Sequence, residues 1–110
     1  MSAIDLTLLV DERRWVNLRS CVTEALEVVD PVAFVNRVGF PRTSAVDLRT
    51  SMRAQRNLQR SLELNDLRLA AACVDVACEL VDDWEFVTRV GFDKADAARL
   101  AWLLREAAAS

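Results

Sequence analysis

A twelve-residue stretch occurs twice in the chain, 52 positions apart, and this repetition limits the fold more than any other feature. Val29-Asp30-Pro31-Val32-Ala33-Phe34-Val35-Asn36-Arg37-Val38-Gly39-Phe40 returns as Val81-Asp82-Asp83-Trp84-Glu85-Phe86-Val87-Thr88-Arg89-Val90-Gly91-Phe92, with eight of the twelve positions identical. The same offset pairs Cys21 with Cys73, Val22 with Val74, Ala25 with Ala77, Glu27 with Glu79, Leu48 with Leu100 and Arg53 with Arg105. A period this long, used only twice, cannot build an open solenoid, which needs at least three stacked units. Two units closing on each other about a pseudo-twofold axis are expected instead.

Each unit reads as helices. The chain holds only two glycines and two prolines, whereas Ala (16) and Leu (15) are abundant and favour helix. Trp15, Leu18, Val22, Ala25 or Leu26, and Val29 recur at helical spacing, as do Leu64, Leu67, Ala71, Val74, Cys78 and Val81. Asp30 and Asp82 are N-cap candidates for a short following helix, with Pro31 and Asp83 suited to its first position. Gly39 and Gly91 sit where a left-handed residue closes that helix, and Phe40 and Phe92 can fold back on Val35 and Val87. Ser44 with Asp47 and Asp93 with Asp96 resemble capping boxes opening a third helix, about 44–60 and 94–108. The expectation is an all-α, compact orthogonal bundle of about six helices. It forms a single domain over 1–110, built from two three-helix units at about 12–60 and 64–110.

What is missing narrows the chemistry. With no His and no Tyr, the chain lacks the commonest general base and a phenolic acid. Cys21, Cys73 and Cys78 have no CxxC spacing and no His to complete a zinc site, so they read as reduced core thiols. The acidic cluster around Asp75 and Glu79 contains no EF-hand loop. A protein that is not an enzyme is expected, with no cofactor and no metal. The start carries no basic stretch ahead of an apolar run, and no run reaches the ~18 apolar residues of a membrane span. A cytoplasmic protein without membrane association follows. The excess of arginine over the single Lys94 suits a GC-rich, bacterial genome.

Charge is unevenly placed. Residues 37–60 hold six arginines against Asp47 alone, a segment at +5 in a chain of net charge −3. Arg49, Arg53, Arg56 and Arg60 fall at helical spacing and, with Arg42, form a candidate partner-binding basic face. Like charges four apart destabilise an isolated helix, so this row calls for a negative partner. Three are open: the chain's own acidic face of Asp75, Glu79, Asp82 and Asp83, a protein or a second copy of the chain, or nucleic-acid phosphate. The segment 31–58 resembles a DNA-binding helix-turn-helix, through Phe34 to Phe40 followed by the inward-facing Ala45 and Leu48. That resemblance implies a small DNA-binding regulator. The acidic overall charge, and Asp93 and Asp96 at the equivalent helix of the second unit, weigh against phosphate. A helical protein-interaction module, acting as an adaptor, an assembly subunit or an inhibitor of a partner, is therefore the leading expectation. The last helix is apolar nearly all round, and Trp102 on it is the candidate surface of a homodimer.

Overall fold

Asp11 starts the first helix: its Oδ1 accepts a hydrogen bond from the Arg14 amide at 2.8 Å, filling one of the open donors of the first turn. From there the computed structural model, which describes residues 3–55 and 60–109, is all-α apart from one short strand pair. The helices are α1 (Glu12–Val28), α2 (Phe34–Val38), α3 (Arg42–Ala54), α4 (Leu64–Leu80), α5 (Asp83–Val90) and α6 (Lys94–Ala109). Two-residue strands β1 (Ile4–Asp5) and β2 (Ser61–Leu62) pair antiparallel, Ile4 opposite Leu62. Among the described residues no helix is long and apolar enough to cross a membrane.

Long, short and long helices follow one another in both halves. The bounds of α1, moved by 52, are those of α4; the end of α2 maps onto the end of α5, and the start of α3 onto that of α6. Burial follows the same offset: Cys21 and Cys73, Phe34 and Phe86, Val38 and Val90, Leu48 and Leu100, and Met52 and Leu104 all lie in one core. Contacts are exchanged between the halves. Within each half the first long helix packs on the third, while α5 packs on α1 and α2 packs on α4. Each short helix is thus held by the opposite half, which ties the units into one body.

The two motif helices end as their glycines require. Gly39 (φ 86°) and Gly91 (φ 96°) are left-handed, and their amides donate to the Val35 and Val87 carbonyls at 2.8 and 2.9 Å. The residue after Gly91 behaves differently from the sequence expectation: the Phe92 ring stacks on Phe86, centroids 6.4 Å apart, while Val87 stays half-exposed. A Cβ at Gly39 would meet nothing within 4 Å, but one at Gly91 would lie 2.8 Å from Asn17 Oδ1. Gly39→Ala is therefore expected to cost about 1–2 kcal/mol from backbone strain alone. Gly91→Ala should cost measurably more in the same urea titration, because Asn17 must also move.

Three local expectations are corrected. Ser44 is not a cap: α3 begins at Arg42, after Pro41 (φ −59°), and the Ser44 amide donates to the Pro41 carbonyl. In the second half Asp93 does cap α6, its Oδ1 accepting from the Asp96 amide at 2.8 Å. Asp30 bonds the Val32 amide in a turn ahead of α2, so the helix itself starts four residues after it; Asp82 sits at the N-cap of α5 without a side-chain bond. The third helix also stops at Ala54 instead of running to 60. Gln55 Oε1 accepts from the Ser61 amide at 2.9 Å, and Ser61–Leu62 then pairs with the N-terminal strand, a geometry that a helix through residue 60 would not allow.

Candidate functional site

At 3.6 residues per turn, Arg42, Arg49 and Arg53 fall within about 40° of one another around α3. They flank the edge of the buried row Ala45, Leu48 and Met52. Arg42 and Arg53 are exposed and Arg49 is half-buried. Among the described residues, no carboxylate lies within 4 Å of any of the three. The structure brings Arg42, Arg49 and Arg53 together on α3; Arg56 lies outside the described residues.

Arg60 leaves the row altogether. It is 8% exposed, and its guanidinium donates from Nε to the Val10 carbonyl at 2.6 Å and from Nη2 to the Thr7 carbonyl at 3.2 Å. Its own carbonyl accepts from the Leu6 amide at 2.7 Å. Arg60 therefore fastens the N-terminal segment, whose Leu6 and Val10 are fully buried, onto the bundle. Helical spacing placed it on a solvent face only because the helix was drawn six residues too long.

The acidic face is also resolved into separate pairs. Asp75 is bound by Arg105, Glu79 by Arg37 at 3.3 Å, and Asp83 by Lys94 at 2.7 Å. Pairing between this face and the α3 arginines within one chain is thus absent among the described residues, because nearer cations occupy it. Asp82 is the exposed exception.

Sequence reasoning missed the role of the motif arginine. Arg37 of α2 reaches Glu79 of α4, and its counterpart Arg89 of α5 reaches the buried Glu24 of α1 at 3.1 Å as well as Glu85 at 2.8 Å. The Glu24 and Glu85 carboxylates hold the Arg89 guanidinium above its ordinary range. Each arginine crosses to the opposite half, so its recurrence at the 52-residue offset was the available signal. Identity of Val35 and Val87 was another. Only Phe34 and Val38, and Phe86 and Val90, face the core, which leaves Val32 with Val35 and Trp84 with Val87 as outward apolar pairs. Trp84 is 74% and Trp102 58% exposed.

The thiols are inert by position. Burial pushes Cys73 up to about 12 and raises Cys21 and Cys78 as well, so none is a ready thiolate. Beside the basic row, burial raises the Asp66 carboxyl, and the charges of Glu63 and Asp47 raise it further, marking a negative patch where α3 meets the start of α4. Comparison with protein-family models, curated proteins and solved structures finds no match to this chain.

Proposed function

We propose that the chain is a non-enzymatic protein-interaction module that docks an acidic protein surface on the α3 row of Arg42, Arg49 and Arg53. The observation that carries this reading is the absence of any carboxylate within 4 Å of these arginines among the described residues, beside three acidic side chains already bound elsewhere. In a second copy Asp75, Glu79 and Asp83 are already bound by cations of their own chain, which favours a different protein as adaptor target, assembly partner or inhibited enzyme. Exposed tryptophan and arginine are the residues on which interface energy concentrates. Nucleic acid is the competing occupant of the helix-turn-helix-like α2–α3 pair, and the chain's net charge of −3 weighs against nonspecific affinity for it. Titration into labelled duplex DNA separates the two. Negligible binding at physiological salt is expected; a logarithmic salt slope near −3, about −0.9 for each of three phosphate contacts, would make the row a DNA surface.

Self-association has its own support, in Trp102. The α6 helix buries Ala97, Leu100, Ala101 and Leu104 and turns Trp102 outward with Ala95 and Ala98. We infer a homodimer through this face, in a cytoplasmic protein. Sedimentation equilibrium is expected to give twice the chain mass of 12.3 kDa, and W102A the monomer. A wild-type monomer at high micromolar concentration would remove the dimer. We also read the two halves as copies of one duplicated unit. Residues 12–54 should superpose on 64–106 with all three helices overlaid, and a different crossing of α3 and α6 would argue against common origin.

A further inference from the structure

A cavity of about 300 Å³ opens between the start of α1 and the turn joining α5 to α6. Arg13, Arg14 and Asp11 line one side, with Phe92 and Asp96 across from the helix. Asn17 and Gly91 also line it. Asn17 is 7% exposed, yet among the described residues its side-chain amide makes no hydrogen bond. No side-chain nitrogen or oxygen sealed from solvent lacks a partner among the described residues, so the Asn17 amide atoms open onto the cavity; in the other half the same position is Leu69, 1% exposed. The polar residue is therefore not demanded by the core.

Charge in the cavity is balanced but unjoined. Two guanidinium groups and two carboxylates share its wall, and among the described residues none of the four forms an ion pair. One Asp11 oxygen caps α1, which leaves the Asp96 carboxylate as the freer anion. We propose that this cavity binds a small zwitterion of the amino-acid class. The ligand carboxylate meets Arg13 and Arg14, its ammonium meets Asp96, the Asn17 amide supplies one donor and one acceptor between them, and the ligand side chain lies against Phe92. The size suits such a molecule, being at the lower end of the range for ligand pockets.

The test is an NMR titration of the full chain with three matched probes: L-leucine, its deaminated analogue 4-methylpentanoate, and its decarboxylated analogue 3-methylbutylamine. L-leucine should shift the Gly91 amide and Asn17 side-chain signals saturably in the millimolar range, and each analogue should bind at least about tenfold more weakly. N17L, in which the second half's own residue type fills the site, should stay folded and lose about tenfold or more in affinity. If N17L does not fold, R13Q/R14Q, at exposed positions, carries the same expectation. Equal binding of either single-charge analogue, unchanged affinity in the folded variant, or no saturable shift by about 10 mM leucine would overturn the site.

Discussion

Phe86→Ala is expected to destabilise the fold by about 3–5 kcal/mol, the usual cost of emptying a large buried aromatic site. Phe86 is fully buried, receives the stacked Phe92 ring, and has the Lys94 ammonium 6.0 Å from its centroid. It is one of the two buried residues of α5, the helix that packs on α1 of the other half. Against a total stability of roughly 5–15 kcal/mol for a domain of this size, the loss leaves the variant close to unfolding. Urea denaturation followed by circular dichroism measures it. A loss below about 1 kcal/mol would mean that α5 is not held as described.

Arg60→Ala should cost about 2–4 kcal/mol, since two charge-assisted bonds vanish and the Thr7 and Val10 carbonyls lose their donor. Arg60→Lys should not rescue it. A single ammonium is a point donor and cannot reproduce the forked contact with two carbonyls. Hydrogen exchange locates the damage: in both variants the Leu6 amide, which donates to the Arg60 carbonyl, should lose protection before the α1 amides do. Full protection of Leu6 in Arg60→Ala would show that the N-terminal segment is held by Leu6 and Val10 alone.

The architecture was legible because it is written in local chemistry. Two glycines needing left-handed φ, each preceded by an i, i+4 pair of Phe and Val, define a short helix wherever they stand, and both did. The basic site was only partly legible. Helical spacing continues through Arg56 and Arg60, but the helix ends at Ala54 because Ser61–Leu62 must reach Ile4–Asp5, more than fifty residues away in sequence. Periodicity carries no information about such a contact. Ser44 followed by Asp47 resembled a capping box, yet Pro41 had already set the chain for helix entry at Arg42. The acidic row had the same weakness. Spacing groups Asp75, Glu79 and Asp82 on one face, whereas Asp75 is bound by Arg105 from α6 of the same half and Glu79 by Arg37 from α2 of the other, contacts that depend on how the helices pack. Arg37 and Arg89 stood in the sequence only as a repeated motif position, and they link the two halves through Glu79 and Glu24.

The R49E/R53E variant tests most directly whether the α3 arginines act outward. With no carboxylate within 4 Å of these arginines among the described residues, the double reversal should leave thermal stability within about 0.5 kcal/mol of the wild type. Affinity capture by the two proteins from the source cell, quantified side by side, should then show an acidic protein retained by the wild type and lost from the variant, with purified partner binding wild type only. Retention of every partner by a stable R49E/R53E, or a variant that unfolds because the arginines were holding the chain together, would contradict the account.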